Sequence, residues 1–129
     1  MSERDIQNDI QRELSRGPTR LLRVNAGAAY QGRIIEQTPD RLILSPWYPI
    51  KLGATGISDL IGWTSVGHVT QAGWADVAIF TAVEVKGERT RITPEQLAFI
   101  DTVRRAGGRA GVARSVEEAR AIIAGNISK

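Results

Sequence analysis

The sequence predicts a mixed α/β sandwich, a central sheet with helices packed on its faces. Residues 76–86 (DVAIFTAVEVK) are β-rich and apolar on both faces, the pattern of a strand in the middle of a sheet. A capped helix and a short strand, 109–113 (RAGVA), follow it, which is the order of a crossover back to a parallel neighbour. An amphipathic N-terminal helix supplies cover for the sheet.

Taken in order, Ser2 with Asp5 has the spacing of a capping box and opens a helix from Glu3 to Arg16. Ile6, Ile10 and Leu14 recur at i, i+4, i+8 and form its buried stripe, and Gly17-Pro18 stops it. Residues 20–24 (RLLRV) read as a strand. Residues 29–36 and 41–44 read as a hairpin with Thr38-Pro39-Asp40 at its tip. Residues 45–56, with two prolines and two glycines, read as a loop. Residues 57–63 (ISDLIGW) read as a further strand, with Asp59 between Ile57 and Ile61 on one face. Gly67-His68 signals a turn, which puts the lone histidine on polar surface. Thr93 caps the second helix, Pro94 takes its first position and Gln96 stands three after the cap. Leu97, Ile100 and Val103 form its apolar stripe, and Gly107-Gly108 ends it. Ser115 with Glu118 reads as a capping box that opens the last helix, which ends at Gly125-Asn126.

The length of 129 residues suits one domain with a real core. No apolar run approaches the roughly 20 residues of a membrane span, and the polar start MSERDIQNDIQREL is not that of a secretory signal. Cysteine is absent and histidine occurs once, which excludes thiol chemistry, cysteine zinc sites and multi-histidine metal sites. The formal net charge of +3 is unevenly spread. Residues 89–129 carry eight basic and four acidic side chains, whereas residues 25–88 carry four basic and six acidic. A basic third suits a phosphate-rich partner and an acidic middle suits a cation. A charge of this size also suits plain solubility.

Glu84 and Lys86 point to the same face at the end of the central strand, where charges cost free energy unless paired or bound to something. With Asp59 on a neighbouring strand, two carboxylates make an oxygen-ligand site for Mg²⁺. A lysine beside it can position water or stabilise charge developing on a phosphate. The set is chemically complete for metal-assisted phosphodiester hydrolysis, although a Glu–Lys pair at a strand end and an Asp in a turn would read the same. Glu3 falls inside the apolar stripe of its helix and so faces the interior, or is a first-turn acid favoured by the helix dipole. Gln96 likewise reads as a site residue, as a capping residue, or as both.

The runs GISDLIGW, VAIFTAVEVK and RITPEQLAFIDTVRRAGGRAGVARSVEEARAIIAG together closely resemble the VRR-NUC family, small virus-type replication-repair nucleases of the PD-(D/E)xK superfamily. The resemblance spans essentially the whole chain and is densest from Gly56 to Gly125. The family's helix acid, G-x-x-D-L strand, E-V-K strand and helix glutamine fall on Glu3, Asp59, Glu84 with Lys86, and Gln96; Glu13 is the alternative helix acid, and Ser58 stands where the family often has proline. The resemblance implies a single nuclease domain over 1–129 with a restriction-endonuclease-like fold and an extra hairpin. It also implies Mg²⁺- or Mn²⁺-dependent DNA cleavage. Asp59, Glu84 and the Val85 backbone carbonyl would hold the metal, with Glu3 reaching it through a water. Lys86 would position the attacking water, and Gln96 would orient Lys86 or touch the phosphate. Stand-alone members of this size are phage-like, which implies the host cytoplasm, and related resolvases are homodimers acting on branched DNA in replication or repair.

Arg23, Asn25, Arg89 and Arg91 are the candidate phosphate contacts, or solvated loop side chains. Trp47-Tyr48 suits base stacking, a partner subunit or the core edge. The same residues also suit a non-catalytic nucleic-acid-binding module that keeps the nuclease fold, or an interaction protein of a virion or replisome whose aromatic segment mediates assembly.

Overall fold

A computed structural model describes residues 1–24, 28–51 and 53–125. It separates into two compact units, Met1–Val24 with Thr55–Lys129, and Asn25–Ala54.

In the larger unit, α1 (Glu3–Leu14) precedes β1 (Thr19–Arg23), and β4 (Leu60–Thr70), β5 (Gly73–Val85), α2 (Pro94–Arg105), β6 (Arg109–Ala113) and α3 (Val116–Ile123) complete it; β2 (Ala28–Thr38) and β3 (Arg41–Lys51) form the smaller. The sheet order is β1-β4-β5-β6. β4 runs antiparallel to β1 and β5, and β6 parallel to β5. The fold is α/β with a mixed four-stranded sheet flanked by helices, consistent with a restriction-endonuclease-like architecture, and β5 is central as its two-sided apolar pattern predicts.

Each sheet face carries its own core. Ile6, Ile10 and Leu14 of α1 meet Leu21, Leu60, Val83, Val85 and Ala113 of the sheet, with Ala119 and Ile122 of α3. On the other face Ile100 and Val103 of α2 pack on Ala82 and Ala110, with Ile61, Phe99 and Val112 at the margin. Leu97 is not part of this stripe: it is exposed, because α2 turns its buried side toward Ile100 and Val103. Two of the three predicted capping boxes form in full, Ser2 with Asp5 and Thr93 with Gln96; at Ser115 only the forward half forms, its Oγ accepting from the Glu118 N–H at 3.2 Å. Among the described residues no helix is long and apolar enough to cross a membrane.

α1 ends at Leu14 rather than Arg16 and β5 begins at Gly73 rather than Asp76, and three larger differences from the sequence reading bear on the fold. Asp59 is not inside a strand; pairing begins at Leu60. Gly67 and His68 make no turn, since β4 continues to Thr70 and the chain reverses at Gln71-Ala72. The glycine serves packing here: a Cβ at Gly67 would lie 1.7 Å from the indole Cζ2 of Trp74, which lies across it from the neighbouring strand. The predicted loop 45–56 is largely strand, because β3 passes through Pro46 and Pro49. Proline is tolerated on a strand with a free edge, and a two-stranded ribbon has two. Trp47 and Tyr48 therefore sit in a strand, Trp47 in an edge-on contact with Tyr30 at 5.7 Å. The hairpin tip at Pro39-Asp40 is as predicted.

Candidate active site

The site is built where β5 leaves the sheet. Val83 and Val85 face the α1 side and anchor the strand in that core. Alternation turns Glu84 to the α2 side, and Lys86 follows it one pleat later. Both charges are buried, Glu84 at 2% exposure and Lys86 at 7%. The Lys86 backbone N–H donates to the Ala113 carbonyl at 3.0 Å, so the parallel ladder with β6 extends to this residue and fixes its position.

Asp59 reaches the same end from the loop before β4. Its carbonyl accepts from the Val24 N–H at 2.9 Å, which ties the loop to β1, and its Oδ2 accepts from the Val85 N–H at 2.9 Å. The Lys86 ammonium stands 3.5 Å from Glu84 Oε1. Gln96 closes the cap of α2 and also reaches the strand end, where its contact is with Glu84 rather than Lys86. Its Oε1 accepts from the Thr93 N–H at 2.9 Å, closing the capping box, while its Nε2 donates to Glu84 Oε1 at 2.8 Å. Burial first, and the neighbouring Asp59 carboxylate second, push Glu84 up to about 7, against the pull of Lys86.

Glu3 comes to the same strand end, one residue beyond Lys86 and within the field of its charge. Its Oε1 accepts from the Gly87 N–H at 3.0 Å. The Thr90 hydroxyl, then that N–H, hold its carboxyl below the usual range. It grips the loop after Lys86, and among the described residues no three acidic or imidazole side chains gather at metal-binding spacing. Glu13, the alternative acid, is exposed and lies 3.8 Å from Arg12. Arg89 and Arg91 are exposed in the segment after Lys86. Arg23 pairs with Leu60 in register, on the pleat face shared by Leu21 and Thr19. Asn25 lies outside the described residues.

Arg114 is a residue that sequence reasoning missed. Its Nη1 donates to the Gly87 carbonyl, opposite the side held by Glu3. Only the parallel register, which aligns Val85 with Ala113, brings Arg114 beside Lys86.

Two buried polar atoms lack partners among the described residues, Ser58 Oγ and Glu84 Oε2. An unpartnered carboxylate oxygen beside a second carboxylate is a donor arrangement that a cation would satisfy. The all-oxygen donors Asp59 and Glu84 fit a hard divalent ion such as Mg²⁺.

A family model described as the VRR-NUC domain matches residues 1–117, and the chain belongs to that nuclease-type family. No curated protein and no solved structure matches the chain.

Proposed function

We propose that this member of the VRR-NUC family is a Mg²⁺- or Mn²⁺-dependent DNA endonuclease. The observation that carries the reading is the buried Glu84 carboxylate, its Oε2 without a hydrogen-bond partner among the described residues, beside the half-buried Asp59 carboxylate and with the Lys86 ammonium 3.5 Å from Oε1. Asp59 and Glu84, with the Val85 carbonyl, would hold the ion, which when bound supplies Lewis-acid charge to the scissile phosphate. Lys86, fixed through its backbone to Ala113, orients the attacking water and faces the negative charge that builds on the phosphoryl oxygens. Gln96 keeps the Glu84 carboxylate in one orientation. Attack forms one P–O bond and breaks another, leaving a phosphate end and a hydroxyl end. One such site cuts one strand, so symmetric cutting of both would need two copies of the chain. Branched intermediates of replication or repair are the substrates this reading favours.

The test incubates purified protein with supercoiled plasmid and synthetic branched DNA in Mg²⁺, Mn²⁺ or EDTA, with Lys86→Ala in parallel. The expected result is metal-dependent cutting, reduced about 10²–10³-fold in the variant. DNA binding by folded wild type with no cutting under any metal would replace this reading with a binding module.

A further inference from the structure

We propose that Trp63 and Phe80 form a base-stacking platform for an unpaired DNA strand whose scissile phosphate lies at Glu84 and Lys86. The inference rests on the nuclease reading above and extends it to a class of substrate.

The placement follows from register. Trp63 pairs with Phe80 across β4 and β5, and Ile61 pairs with Ala82. Counting by twos, Phe80 and Ala82 share a pleat face with Glu84, and Trp63 shares it with Ile61. The two rings therefore lie on the site's own face, about 13 Å along the strands from the acids at about 3.3 Å per residue. Both are large apolar side chains at a sheet's centre, yet Trp63 is 42% and Phe80 43% exposed. The reason is that α2 covers only part of this face, with Gln96 over Glu84 and Ile100 and Val103 over Ala82 and Ala110. Leu22, which pairs with Ile61, is exposed on the same side, and Arg20 pairs with Trp63. Beside Phe80 a groove of about 350 Å³ runs to Thr102, Val103, Ala106 and Gly108.

The geometry favours a nucleic-acid strand over a protein. α2 covers β5 at Ala82, but a strand that leaves the site along β4, past half-buried Ile61 and exposed Leu22, reaches Trp63 and then Phe80 beside it. A protein seated here would lie across the approach to the acids. Aromatic faces can stack only on bases that are not already stacked in a duplex, so the platform selects flaps, splayed arms or single strands. Farther out, Asp76 pairs with Gly67 on this face and bounds the platform with a negative charge.

The test measures anisotropy of labelled oligo-dT and of a matched duplex in EDTA, with wild type, Trp63→Leu/Phe80→Leu, and Trp63→Phe. Thermal melting and light scattering accompany each. The double variant should lower the ratio of unpaired to duplex affinity by about tenfold or more, and Trp63→Phe should recover most of it. Equal ratios in the double variant and wild type would overturn the platform, as would a change from dimer to monomer, which would make these rings a protein interface. A wild type that never cuts, yet whose oligo-dT affinity depends on both rings, would retain the platform and sink the nuclease reading alone.

Discussion

Gln96 and Glu84 are joined by a 2.8 Å hydrogen bond, so the residue that closes the cap of α2 also orients the buried acid of β5. The two duties separate by mutation. Thr93→Ala removes the hydroxyl that accepts from the Gln96 N–H and should cost about 1 kcal/mol of stability, while cleavage persists. Gln96→Ala should cost about 1–3 kcal/mol, because it also strips a donor from a buried carboxylate, and cleavage should fall with it. Urea unfolding and plasmid nicking on both variants read the two effects.

That double duty shows what the sequence could carry. Cap spacing, apolar stripes and the two-sided strand 76–86 are local patterns, so α1, α2 and β5 were legible, and with them Glu84, Lys86 and Gln96. Gly67 was misread because a glycine that makes room for the indole of Trp74 and a glycine that makes a turn look alike in one dimension. Arg114 carried no signal, since its place beside Lys86 depends on a parallel register that only the folded sheet defines. Helical phase turns Glu3 toward the sheet, where it is half-buried, but phase does not name its partner, the Gly87 N–H, which lies 84 residues away in the chain.

Stability should fall as pH rises from about 4.5 to about 7 in metal-free buffer, in the part that Glu84 controls. Its carboxyl is raised from 4.5 to about 7, so across that window the native state holds a proton that the unfolded state has released. Native protein therefore gains relative stability below 4.5 and loses it through 7. Mg²⁺ should offset the loss above pH 7, since it binds the ionised form. Glu84→Gln should flatten both the pH and the Mg²⁺ dependence of urea midpoints in this window. Glu3, shifted down, acts at pH values below 4.5 and leaves the window clear.

Three buried threonines span β1, β4 and β5. Thr19 Oγ1 donates to Thr64 Oγ1 at 3.3 Å, Thr64 Oγ1 and Thr81 Oγ1 are 2.8 Å apart, and Thr81 Oγ1 donates to the Ile79 carbonyl at 3.0 Å. Thr64→Val keeps the shape and breaks the middle of this chain. It should cost about 1–3 kcal/mol by leaving a buried hydroxyl without its acceptor. A double-mutant cycle with Thr81→Val should return a clear coupling energy, because the two oxygens are in direct contact.

Gly87 is held from both sides, its N–H by Glu3 and its carbonyl by Arg114. This grip fixes the peptide that follows Lys86 and so limits where the ammonium can stand. Glu3→Gln retains an acceptor for the Gly87 N–H, so the Mg²⁺ concentration for half-maximal cleavage should not change. Asp59→Asn should raise that concentration by more than about tenfold, as a direct donor would. A rise in the Glu3→Gln variant as large as in Asp59→Asn would instead make Glu3 a ligand. Arg114→Ala removes a charged donor and should cost about 1 kcal/mol or more. It should also lower kcat more than it raises KM, because Lys86 is misplaced while the DNA-binding surface is intact. Arg114→Lys should restore part of kcat, an outcome that lost folding stability alone would not give at a temperature where all the variants are native.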